Sequence, residues 1–269
     1  MAQCLKLTLR DIDNPQGTEA RQNASIMNSW QERTTTIDAG DIYEGTRARF
    51  VRTVRHLQPR EVATPVPATP AWMVGDVLAH VVGLATDLNA QRFPDVDDIG
   101  GTAWTTRQVD TRRTTSIADL VDEWDREAPA FEDGLRLFGY GEGSHFVADL
   151  HAHHQDVRGA VGLSRDEEPI TVSVALDHYL GFLDTMLRAS KWGTLDVTTG
   201  GEQRTLGEPG EHHACVSGPG FEVLRTFSAR RSLRQVRQLS WEGDLDSFLT
   251  MLSDQCSGGY SLPANDLSE

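Results

Sequence analysis

Between Asp41 and Gly162, apolar side chains recur at three- and four-residue intervals in four separate stretches, with prolines, glycines or a capping hydroxyl between them. A chain patterned this way must bury four amphipathic stripes against one another, and with connections this short the compact solution is a four-helix bundle. The first stretch, DIYEGTRARFVRTVRHL, sets Ile42, Phe50, Val54 and Leu57 near one stripe. QPREVATPVPATP follows, with four prolines in 13 residues, and is expected to be an extended loop, because proline removes donors and disfavours helix before it. AWMVGDVLAHVVGLATDLNAQ is the second helix, with Val74, Val77, Leu78, Val81 and Val82 in helical register. A loop rich in Asp and Gly is expected from Pro94 to about Thr106.

Ser116 and Asp119 can open the third helix as a variant of the capping box. That helix runs to Phe138 with Pro129 as a kink point. After GYGEG, Ser144 is expected to cap the fourth helix, SHFVADLHAHHQDVRGAVG, which Gly162 closes. The pattern changes after Ser164. ITVSVALDHYLGFLDTMLRAS is one more helix, and TLDVTTGGEQRTLGEPGEHHACVSGPG alternates between glycines as strands and turns do. FEVLRTFSARR and DLDSFLTML are helical again. The expected class is α+β: a bundle over 39–164 followed by a smaller α+β domain over 165–255. An N-terminal extension (1–38) and a flexible tail (256–269) flank them.

Composition narrows the function classes. The 269 residues are 38% hydrophobic, enough for a real core. A net charge of -15 repels phosphate backbones, so no nucleic-acid partner is expected. Cys4, Cys215 and Cys256 are odd in number and far apart, which fits neither a disulfide framework nor a CxxC zinc site, so they are expected to be free thiols. No run of about 18 apolar residues suggests a membrane span. With no apolar leader at the N-terminus, the expected location is cytoplasmic, with no membrane partner.

Four of the nine histidines fall within residues 145–154. On a helix Asp149 and His153 share a face, with Asp156 three residues further on the same side. His154 points roughly 100° away from that face. His80 lies inside the apolar run VLAHVVG of the second helix. An oxygen and two imidazoles from two helices could hold one divalent ion and leave a coordination position open, as catalytic sites do. The alternatives are a satisfied core histidine at His80, a solvated histidine face, and a plain Asp149–His153 pair. Asp156 could orient an imidazole or pair with Arg113 or Arg158. Arg158 lies opposite Asp149 on the helical wheel. Arg230, Arg231 and Arg234 could bind a substrate carboxylate or line a solvated helix. Asp76 could cap its helix, Trp72 is expected to pack at the bundle end, and Gly218-Pro219-Gly220 is a turn.

Three stretches resemble the mycothiol-dependent maleylpyruvate isomerase family. ATPAWMVGDVLAHVVG is similar to its Pro-x-Trp-x-Val-x-Asp-Val-Leu-Ala-His-Leu stretch. ADLHAHHQDVRGAVG is similar to its (Glu/Asp)-x-x-x-His-x-x-Asp-x-Arg stretch. GPGFEVLRTFSARRSLRQVRQLSWEGDLDSFL is similar to its C-terminal Gly-Arg-Arg-Ser and Trp-x-Gly-Asp region. The resemblance covers about residues 40–252 and implies a DinB-like bundle in the N-terminal half. It implies His80, Asp149 and His153 as metal ligands. It also implies a divalent metal, zinc first, with mycothiol as thiol cosubstrate for isomerisation of, or transfer to, an electrophile. The isomerase itself has Glu where Asp149 stands, and the shorter Asp would set the ion deeper or bind it more weakly. The expected partners are a small-molecule thiol and an electrophilic substrate, with the chain a monomer or homodimer. A metal-dependent hydrolase on the same site and a non-catalytic binding or sensor protein are the alternatives.

Overall fold

The structure is a computed structural model that describes residues 34–98, 101–255 and 260–268. The extension expected over 1–38 lies almost wholly outside the described residues. The chain divides into two units, one over Asp38–Ala175 and the other over Leu176–Ala264.

The helical unit is built on four long helices: α1 (Ala39–Val54), α3 (Val74–Asn89), α5 (Ile117–Phe138) and α6 (Tyr140–Ala160). α1 and α3 each pack against both α5 and α6, and α5 packs against α6. The shared interior holds Phe50, Val54, Leu78, Leu120, Trp124, Leu135, Val147 and Leu150, all essentially inaccessible. Local chemistry sets the ends. The Asp38 carboxylate accepts from the Gly40 and Asp41 amides at the start of α1. Ser116 Oγ accepts from the Asp119 amide at 3.2 Å and donates to the Asp119 carboxylate at 2.7 Å, so the expected cap forms with a shorter acid. Pro129 sits within α5, and the helix continues on both sides of it.

Three boundaries differ from expectation. The proline-rich loop opens with a single helical turn, α2 (Pro59–Val62), because proline suits a first helical position where its missing N–H costs nothing. The loop expected to reach Thr106 instead folds into α4 (Thr102–Asp110), which packs on α3. Its contact point is Gly83, where an added Cβ would lie 2.7 Å from Gln108 Cβ. α6 begins at Tyr140 rather than Ser144, whose hydroxyl instead donates back to the Gly141 carbonyl. Gly143 there serves packing: an added Cβ would meet Ala39 Cβ at 2.4 Å, so the residue type allows α1 and α6 to touch.

The second unit begins within α7 (Pro169–Ser190) and carries a four-stranded sheet in the order β2-β1-β3-β4. β1 (Gly193–Thr199) and β2 (Glu202–Gly207) form an antiparallel hairpin. Gly200 and Gly201, both at positive φ, make its two-residue turn. β3 (His212–Ser217) runs parallel to β1, and β4 (Ser240–Gly243) closes the far edge antiparallel to β3. β4 had no signal in the sequence beyond Trp241. One sheet face is apolar, with Leu195, Val197, Leu206, Ala214 and Val216 buried. α8 (Gly220–Phe227), the single turn α9 (Leu233–Val236) and α10 (Leu245–Gln255) complete the unit. α8 is shorter than FEVLRTFSARR suggested: it stops at Phe227, and Ala229 takes a positive φ of 56°. Beyond α10, the Tyr260 hydroxyl donates to the Thr226 carbonyl.

Candidate metal centre

The helical unit brings His80, Asp149 and His153 together. One donor atom from each lies within 4.8 Å of the other two, and all three residues are buried. His80 Nε2 is 3.8 Å from Asp149 Oδ2, and His153 Nε2 is 3.6 Å from Asp149 Oδ1. The two imidazoles meet edge to face with centroids 5.0 Å apart. Four-residue spacing on α6 places Asp149 beneath His153, and the packing of α3 on α6 supplies His80.

The residues behind His80 fix which of its nitrogens faces the centre. Gln108, on the helix that was not anticipated, lies between His80 and Asp87 and is itself buried. Its Nε2 donates to Asp87 Oδ2 at 3.2 Å, since a carboxylate can only accept. Its Oε1, 2.9 Å from His80 Nδ1, must therefore accept, so Nδ1 carries the proton and the Nε2 lone pair faces Asp149. Asp87 in turn accepts from Arg92 at 2.8 Å. His153 has a parallel arrangement: its Nδ1 faces the wholly buried Asp156 carboxylate at 3.6 Å, just outside hydrogen-bonding distance.

Electrostatics agrees with lone pairs at the centre. Burial, reinforced by the neighbouring His153, drives His80 down to about 4 against the opposing pull of Asp149 and Gln108, so it is neutral at physiological pH. Burial alone would raise the Asp149 carboxyl, but the charge that His153, His80 and His145 carry when protonated at low pH holds it below the usual carboxylate range, so it is already ionised where His80 is neutral. Two imidazole lone pairs and a carboxylate facing one another repel unless a cation lies among them. The donor set therefore fits a divalent ion.

Trp72 does more than close the bundle end. Its ring lies 5.1 Å from His80 and 5.9 Å from His153, covering both imidazoles. Asp76 caps α3 by accepting from the Met73 amide at 3.0 Å and also pairs with Arg113, which therefore serves Asp76 and Asp110 rather than Asp156. Arg158 donates to the Ser164 carbonyl and lies against Thr53. His154 turns into the core, stacked on Phe50 and 3.0 Å from the Thr53 hydroxyl. Arg230 and Arg231 are buried, not a solvated helix face. Arg231 forks onto Glu222, and Arg230 donates to the Ser228 carbonyl. Gln108 is the residue that sequence reasoning missed, because its signal lies 28 positions from its partner on a segment without periodicity.

Residues 43–158 match the family model of the mycothiol maleylpyruvate isomerase N-terminal domain. The match spans less than half of the chain, and it contains all three residues of the centre. A comparison with curated proteins finds none that matches. Among solved structures, the crystal structure of the mycothiol-dependent maleylpyruvate isomerase is similar at 14% identity and a TM-score of 0.47, covering 71% of this chain and 88% of that one. A mutant form of the same enzyme is similar at 12% identity and a TM-score of 0.46, with the same coverage. Among the described residues no helix is long and apolar enough to cross a membrane.

Proposed function

We propose that this chain is a metal-dependent enzyme that uses a small thiol of the mycothiol type to isomerise an electrophilic substrate or to transfer the thiol to it. The observation that carries the proposal is the convergence of His80, Asp149 and His153 within a segment that matches the mycothiol maleylpyruvate isomerase N-terminal domain. Two imidazoles and one carboxylate suit zinc and leave a net positive charge on the centre. A divalent cation held there supplies Lewis acidity sufficient to take a coordinated thiol as its thiolate near neutral pH, where a free thiol is mostly protonated.

The chain's own residues prepare that step. Gln108 and Asp87 hold His80 in the tautomer that offers Nε2. Asp156 does the same for His153 by charge rather than by a close hydrogen bond. Three protein donors leave a coordination position for the thiol. Trp72 shields the imidazoles on one side, which lowers the local dielectric and strengthens the attraction between centre and thiolate.

Metal analysis and a thermal-shift titration with mycothiol test the proposal. The protein as purified is expected to hold zinc at this centre, and mycothiol is expected to raise its melting temperature by mass action. His153→Ala should abolish both effects. If the wild-type protein holds zinc but mycothiol does not stabilise it, while an ester or amide is cleaved, the thiol reading is wrong and the centre is hydrolytic.

A further inference from the structure

The second unit gathers another set of donor side chains, on the sheet face opposite its core. β1 and β3 run parallel with Asp196 paired to Cys215 and Thr194 paired to His213. Because side chains two apart on a strand share a face, His213 and Cys215 both project on the side away from Ala214 and Val216. Asp196 projects there from β1. Cys215 Sγ is 3.3 Å from His213 Nε2 and 3.8 Å from Asp196 Oδ2, and His213 Nε2 is 3.8 Å from Asp196 Oδ2. All three donor atoms lie within 4.8 Å of one another. Ligands around one tetrahedral zinc ion, at about 2.0–2.3 Å from it, stand roughly 3.4–3.6 Å apart, so the observed spacings bracket that geometry.

The surrounding residues orient these donors. Thr194 Oγ1 lies 2.9 Å from His213 Nδ1, leaving Nε2 to face the thiol and the carboxylate. Thr205, paired to Asp196 across the hairpin, donates its hydroxyl to Asp196 Oδ1 at 2.5 Å and leaves Oδ2 toward the cluster. Glu242 of β4 stands opposite Cys215 in the ladder and adds negative charge. A Cys-His nucleophile would need different surroundings. A carboxylate would orient His213 through Nδ1, where Thr194 stands instead, and the thiol would be biased toward thiolate. Here burial and the carboxylates of Asp196 and Glu242 push the Cys215 thiol up. Negative charge around a thiol disfavours a free thiolate and favours one bound to a cation.

We propose that Asp196, His213 and Cys215 form a second divalent-cation site, which takes zinc through a carboxylate, an imidazole and a thiolate and ties β1 to β3. Binding releases the Cys215 proton to solvent, with no redox change. This site contains sulfur, whereas the helical centre draws only on nitrogen and oxygen from the protein, so the two are separable spectroscopically.

The test uses the full chain carrying Cys4→Ser and Cys256→Ser, which leaves Cys215 as its one thiol, titrated with cobalt(II) in the presence of a phosphine reductant and no added thiol. The expected result is a thiolate-to-cobalt charge-transfer band that saturates by two equivalents of cobalt, when both sites are filled, disappears when zinc is added, and is absent after Cys215→Ser or His213→Ala. Total zinc should fall from two ions per chain to one in Cys215→Ser, and Thr205→Val should weaken the site about tenfold. Absence of the band, or its persistence in Cys215→Ser, would overturn the proposal. His153→Ala, which removes the helical centre, should leave the band intact, so the failure of one site is distinguishable from the failure of the other.

Discussion

At the residue scale, His80 shows how burial keeps an imidazole neutral. Its pKa of about 4 lies below the value of about 6.5 that a histidine has in an unfolded chain. Between those values the unfolded state binds the proton and the folded state does not. Stability therefore rises with pH across that window: it is complete above about 6.5 and is lost as pH falls toward 4. In metal-free protein this residue alone should account for about 3 kcal/mol of lost stability by pH 4, read from thermal melts in chelator. His80→Ala should flatten that part of the profile; an unchanged slope would mean the imidazole is solvated. Gln108 acts on the same nitrogen through the proton on Nδ1. Gln108→Leu leaves the three ligands in place but removes the partner that fixes the tautomer, so zinc affinity should fall about 10–100-fold in a chelator competition. That Asp149 and His153 share a face was legible in the sequence because a four-residue interval on a helix is a geometric statement, whereas the approach of His80 from another helix was implied only by the family resemblance. Gln108 was not legible, because nothing local says which distant side chain a loop-like segment will approach.

At the scale of elements, the contact between α3 and α4 decides whether Gln108 reaches His80. Gly83 lies at that contact, with space for no Cβ against Gln108 Cβ and Arg112 Nη1. In an open helix, glycine to alanine would stabilise by about 1 kcal/mol. Here Gly83→Ala should instead destabilise by about 1–3 kcal/mol through overpacking, and should weaken zinc binding because the displaced helix carries Gln108 with it. A stabilised variant with unchanged zinc affinity would show that α4 does not support the centre. The long amphipathic helices were readable because each buries a continuous stripe. α4 was not, since its nine residues have only Trp104, Gln108 and Val109 buried and begin after an Asp-Gly run that resembles a loop. The start of α6 was hidden in the same way. The glycines in GYGEG look like a linker in sequence, yet Gly143 is there because Ala39 leaves no room for a side chain.

At the scale of the whole molecule, the chain divides its chemistry between a helical unit with a nitrogen and oxygen donor set and a sheet unit with a sulfur-containing cluster. The α+β class was legible in the switch from helical to alternating pattern near Gly193. The parallel pairing of β1 with β3 was not, because parallel partners are brought together by tertiary packing and leave no turn signal between them. Chelation should lower the melting temperature of the intact protein, and restoring zinc to about a thousandfold above its Kd should return about 4 kcal/mol. The central claim is that His80, Asp149 and His153 hold a cation that takes a thiol. The most direct measurement is the absorption spectrum of the cobalt-substituted Cys215→Ser protein before and after addition of mycothiol. A thiolate-to-cobalt band should appear with mycothiol and fail to appear when His153→Ala is added. A spectrum unmoved by mycothiol in a protein that holds cobalt at this centre would contradict the account.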